Sequence, residues 1–95
     1  MNPDNQAINN LLEALNFSPN NVPLRLHVAQ LLIQAKRFAE AEEQLKKVLG
    51  IDANHLQAKQ NLAKVFLLQG KHTTAFVIVE DLLSMGTPPP SVYLL

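Results

Sequence analysis

His27, His55 and His72 are the side chains of this chain best suited to bind a metal ion or move a proton near neutral pH. No two of them stand three or four residues apart, the spacing that puts two ligands on one helical face. There is no cysteine, so no thiolate nucleophile, disulfide frame or cysteine metal site is available. No serine or threonine has a histidine and an acid close by in sequence, as a hydrolytic triad read locally would need. Ser18, Ser84 and Ser91 fall in loops or at helix ends, where capping accounts for them. No glycine pattern of a phosphate-binding loop occurs. The expectation is therefore no catalytic, cofactor-binding or metal-binding residue.

The elements that position these groups are set by composition and period. Ninety-five residues make one small domain, near the lower size at which a single core suffices. Apolar residues are 47% of the chain, which suits a packed domain and argues against a disordered one. Eight basic side chains balance eight acidic ones, so no net field favours nucleic acid or anionic lipid. Uncharged apolar runs such as 28–35 and 75–79 are too short to span a bilayer. The opening Met1-Asn2-Pro3-Asp4 lacks the basic and apolar regions of a signal peptide. These features point to a cytoplasmic, soluble, cofactor-free domain.

Shifted so that Val28 falls on Leu62, the chain overlays on itself. The same shift lays Ala29 on Ala63, Leu32 on Phe66, Ala41 on Ala75, Leu45 on Val79, Leu49 on Leu83 and Ile51 on Met85. The opposite shift lays Ala7, Leu11, Leu15 and Phe17 on Ala41, Leu45, Leu49 and Ile51. One fixed period of this size signals stacked helix-turn-helix units. The expected fold is all-α, an antiparallel solenoid of two full repeats (22–53 and 56–86), preceded by half of another (4–17). A truncated start of a further repeat occupies 90–95, as if a longer protein were cut inside a repeat.

In the half unit, Ala7, Leu11, Ala14 and Leu15 mark a helix over 4–16 capped by Asp4 or Asn5. The first full unit pairs a helix over 22–35 with one over 38–49, turning at Lys36-Arg37 and stopping at Gly50. The second pairs 55–69 with a helix capped by Thr73 or Thr74 and ending near Ser84. Gly70 supplies a left-handed turn between them, and His72, in the place of Phe38, is expected to pack at that turn. Phe76-Val77-Ile78-Val79 taken alone favours a strand. The repeat register makes it helix, aligned with Glu42 to Leu45.

The pattern resembles the tetratricopeptide repeat. Val28-Ala29 and Leu62-Ala63 stand at its Leu-Gly step, and Leu32 and Phe66 at its aromatic position. Ala41-x3-Leu45, Ala75-x3-Val79 and Ala7-x3-Leu11 match its second-helix motif, and Pro19 its closing proline. Ala53 and Thr87 depart from that proline, and Arg25 and Lys59 replace the large aromatic at the start. The small residues have a physical reason, because helices crossing at roughly 8–10 Å need a short side chain at the closest point. More faintly, Ser18 to His27 so near Met1 resembles the amino-terminal repeats preceding some AAA-type ATPase domains.

The resemblance implies a concave groove lined by the first helix of each repeat, which receives a protein or peptide. Leu26, Gln30, Ile33 and Gln34 would face it from the first unit. Gln57, Gln60, Asn61, Lys64, Leu67 and Leu68 would face it from the second. Apolar anchors flanked by amides suit a peptide backbone. The clamp by which some relatives hold a terminal carboxylate is not expected. Leu26 stands where a lysine is needed and Gln30 replaces an asparagine, leaving Asn61 alone in place.

The rival expectation is assembly. Phe76-Val77-Ile78 replaces Glu42-Glu43-Gln44 of the previous unit and would leave an apolar patch that monomers seldom tolerate. With Val92, Tyr93 and Leu95 it would form a homodimer surface around the C-terminal helix. On that reading the repeats serve self-assembly, or regulation of a larger protein such as an AAA-type ATPase, and the groove has no free ligand.

Overall fold

The computed structural model describes residues 3–86. Five helices follow one another: α1 (Pro3–Leu15), α2 (Val22–Gln34), α3 (Phe38–Ile51), α4 (Leu56–Leu68) and α5 (His72–Ser84). Each packs mainly on its neighbours in the chain, α1 on α2, α2 on α3, α3 on α4 and α4 on α5. That neighbour-only packing is what a repeat solenoid requires. No strand occurs among the described residues, and the β-branched run of α5 is helical as the register demands.

The small residues at the crossings explain the stacking. Ala29, Ala41, Ala63 and Ala75 are all fully buried. Their short side chains let the helix axes approach, while Val28, Leu32, Leu45, Val48, Val65 and Phe66 fill the space around them.

The two turns inside the repeats are built alike and sit at equivalent register positions. After α2 the Lys36 and Arg37 amides donate to the Ile33 and Leu32 carbonyls at 3.0 and 2.8 Å. After α4 the Gly70 and Lys71 amides donate to Leu67 and Phe66 at 3.0 and 2.8 Å. Both are the paired C-terminal bonds of a Schellman turn, whose closing residue must be left-handed. Gly70 meets this with φ +78°, whereas Lys36 carries a side chain at φ +61°. A left-handed L-residue costs roughly 1–2 kcal/mol. Lys36→Gly is therefore expected to raise the stability of the chain by about 1 kcal/mol, less the flexibility it adds to the unfolded state. A thermal melt checks it.

Several local expectations are corrected. α1 begins at Pro3, so Asp4 and Asn5 lie inside the helix rather than capping it. Ile8 is fully buried while Ala7 and Ala14 are exposed. The Ala7 position is covered in the later repeats by the first helix of the same unit, and no described helix precedes α1. Gly50 does not stop α3, which runs through it to Ile51. A glycine there costs only about 0.5–1 kcal/mol, which packing of Val48 and Leu49 offsets. Thr73 and Thr74 are not caps. The left-handed turn at residue 70 starts α5 at His72, with Lys71 as an N-cap that makes no side-chain bond, matching Arg37 before α3. His72 is exposed and is not the packing residue that Phe38 is. His55 is itself a cap, its Nδ1 accepting from the Ala58 amide at 3.2 Å.

Candidate functional site

α2 and α4 carry the side chains expected to face a partner. Spacings of three and four residues put Leu26, Gln30, Ile33 and Gln34 on one stripe of α2. Gln60, Lys64, Leu67 and Leu68 are their equivalents one repeat on, with Gln57 and Asn61 beside them. The buried stripes lie elsewhere on the same helices, at Val28, Ala29 and Leu32 and at Ala58, Leu62, Ala63, Val65 and Phe66. Gln30, Gln34, Gln57 and Leu68 are exposed. Gln60, Asn61 and Lys64 are half-buried. The Gln57 amide donates to Asn61 Oδ1 at 3.1 Å, fixing one polar pair on this face.

The apolar members sit deeper than a free anchor site would. Leu26, Ile33 and Leu67 are half-buried and pack against the core. Ile33, expected to face the groove, is thus partly a core residue. What the face offers to solvent is a row of amides over a shallow apolar floor, with Leu68, 42% exposed, at one end. Amides around an apolar floor are the chemistry that suits an extended backbone segment.

On α5, Phe76, Val77 and Leu83 are exposed at 49%, 61% and 53%, and Met85, the residue that caps its C-terminus, at 43%. Ile78 does not belong to this patch, because it is half-buried against the core. Leu67, His72, Thr73 and Phe76 line a shallow cleft of about 380 Å³ next to it. Val92, Tyr93 and Leu95 lie outside the described residues.

A charge cluster ties the repeats together. Glu42 of α3 takes Lys46 at 2.7 Å and Lys71, from the α4–α5 turn, at 3.2 Å. Both ammonium groups lie over the Phe66 ring, at 5.9 and 5.5 Å from its centre. The hydrogen bond from Lys46, with help from Lys71 and against partial burial, holds the Glu42 carboxyl below its usual value. Arg37 does the same to Glu40 through a two-pronged contact at 2.8 and 2.7 Å. A carboxylate with a lowered folded pKa contributes stability above its unfolded value of about 4.3, and that stability is lost as pH falls through the folded value. The melting temperature should therefore decline below about pH 4.5, and Glu42→Gln should make that decline shallower. Because the lysines are about half exposed, the share of Glu42 is only a few tenths to about 1 kcal/mol. Melts of both proteins across pH 3–6 check it.

Two polar residues that sequence reasoning did not place inside are buried, Arg25 at 8% exposure and Gln44 at 8%. The Arg25 guanidinium donates to the Pro19 carbonyl from Nε and one terminal nitrogen, at 3.2 and 2.6 Å, and to Gln44 Oε1 at 2.6 Å. It closes the α1–α2 loop onto α3. The available signal was the register itself, which puts a basic residue at both 25 and 59, in the place of the family's large aromatic.

The three histidines do not converge. His27 is exposed in the middle of α2, His55 caps α4 and His72 opens α5. No helix among the described residues is long and apolar enough to cross a membrane. The family profile of the tetratricopeptide repeat matches the chain over residues 5–64 and again over 32–90. No curated protein matches it significantly.

Proposed function

The chain belongs to the tetratricopeptide repeat family, and from that membership we propose that it is a non-catalytic scaffold that holds a peptide or partner segment across α2 and α4. Repeats of this family generally mediate protein–protein interaction. The observation that carries the reading is the superposition of the two stripes. Gln30 with Lys64, Ile33 with Leu67 and Gln34 with Leu68 stand at equivalent positions one repeat apart, so one extended segment can lie along both stripes, with an apolar contact repeated at Ile33 and Leu67 and different polar groups beside it. Balanced charge leaves shape and backbone hydrogen bonding, rather than a strong field, to select the partner.

The test uses peptides selected from a displayed random library against the whole chain. Gln34→Arg and Leu68→Glu alter exposed positions, so helicity should be unchanged by circular dichroism. Each should weaken the selected peptides by about tenfold or more, the loss of roughly 1.4 kcal/mol. Unaltered affinity in both variants would move the site off this face.

A second reading rests on the exposed Phe76 and Val77. Here α5 pairs with a second copy, as a self-assembly surface of this or a larger protein, and the groove has no free ligand. Sedimentation from micromolar to millimolar concentration separates the two. A mass that doubles, and returns to the monomer in Val77→Glu, supports assembly, whereas a constant monomer removes it.

A further inference from the structure

The second repeat supplies a control for the first. Position 59 is a lysine, and its ammonium pairs with Asp81 Oδ2 at 2.6 Å while its side chain is only 14% exposed. One repeat earlier the same two positions are Arg25 and Lys47. The cation is kept and the acid is replaced by a second cation. Among the described residues Arg25 forms no ion pair, and its partners, the Pro19 carbonyl and the Gln44 amide, are neutral. Three of the five guanidinium N–H groups are used by these bonds, leaving two.

A buried charge without a counterion is expensive, and it is retained where something else completes it. The space over this guanidinium fits such a role. An open cleft of about 610 Å³ lies between α1 and α3, with Asn9, Glu13 and Asn16 on one wall, Gln44 and Lys47 on the other and Arg25 at its floor. Two cations and three amides around one recess form a donor set for oxygen anions, although the Lys47 ammonium also lies 3.6 Å from Glu43 Oε1 in a loose, half-exposed pair. Glu13 is the one acid on the lining, and it forms no ion pair among the described residues. This recess belongs to the helices that flank α2, not to the stripe on α2 and α4 described above.

We propose that the cleft over Arg25 is a binding site for an oxyanion, a carboxylate or phosphate group, which takes the place that Asp81 holds against Lys59. The guanidinium fixes one oxygen from below, Lys47 supplies the second charge from the rim, and amide hydrogens come from Asn9 on α1 and Asn16 just after it. The ligand can be a free anion or the acidic side chain of a partner protein, since both present the same group.

The test is an amide chemical-shift titration of the whole chain with two probes, inorganic phosphate and N-acetylglutamate amide. Saturable shifts clustered at Asn9, Asn16, Arg25, Gln44 and Lys47 are expected with at least one. Phosphate alone would identify a free anion as the ligand, and the glutamate derivative alone a protein side chain. Lys47→Asp, which installs the acid of the second repeat, should raise the melting temperature and weaken the probe at least about tenfold. Glu13→Gln should strengthen it without lowering the melting temperature. The proposal is overturned by the absence of saturable shifts with both probes, or by equal binding in Lys47→Asp. A fall in melting temperature in Glu13→Gln, with binding no stronger, would make Glu13 the counterion of Arg25 and also overturn it.

Discussion

Replacing Leu45 by alanine should destabilise the chain by about 2–5 kcal/mol, the range for truncating a fully enclosed leucine. Leu45 has no exposed surface, and it sits on α3, the one helix packed against both α2 and α4. A domain of this length has a total stability of roughly 5–14 kcal/mol, so the loss takes a large part of it. Chemical denaturation should show the midpoint shifted far down with little change in slope. An effect under about 1 kcal/mol would mean that the α2–α3–α4 junction is not the core of the solenoid.

The opposite change should be almost as damaging. Ala63→Leu, and Ala29→Leu at the equivalent position, put three extra carbons where the helices already touch, because both alanines are completely enclosed. Overpacking of this kind costs about 1–3 kcal/mol. Leucine is nearly as good a helix former as alanine, so the cost reports packing and not propensity. The pair also tests the repeat itself, since equal losses are expected at two sites one repeat apart. Unchanged melting temperatures in both would take these residues off the helix crossings.

The architecture is legible in the sequence because each repeat places a small residue, a turn and an apolar stripe at the same register. Even the β-branched run 76–79 reads as helix on register, against its local preference. Inferences from single residues fail. Gly50 has the composition of a helix stop, yet nothing forces the chain out of α3 there. Thr73 and Thr74 have the chemistry of caps, but the left-handed residue at 70 already sets where α5 begins. Ala7 is aligned with Ala41, yet a buried alanine needs a helix opposite it. Arg25 reads as a departure from the family's aromatic, whereas its long side chain fills that place and carries a charge inside with it. On α2 and α4 the sequence picks out two equivalent stripes, but not that Leu26, Ile33 and Leu67 are shared with the core. Depth depends on the neighbouring helices, which the period alone does not give.

On the function proposed above, a partner segment lies across α2 and α4. Amide shift mapping of the whole chain with a library-selected peptide tests it most directly. The perturbed amides should cluster at Gln30, Gln34, Gln57, Asn61, Lys64 and Leu68, with α5 unaffected beyond its first turn. Perturbations gathered instead at Phe76, Val77 and Leu83 would contradict it and give the partner surface to α5.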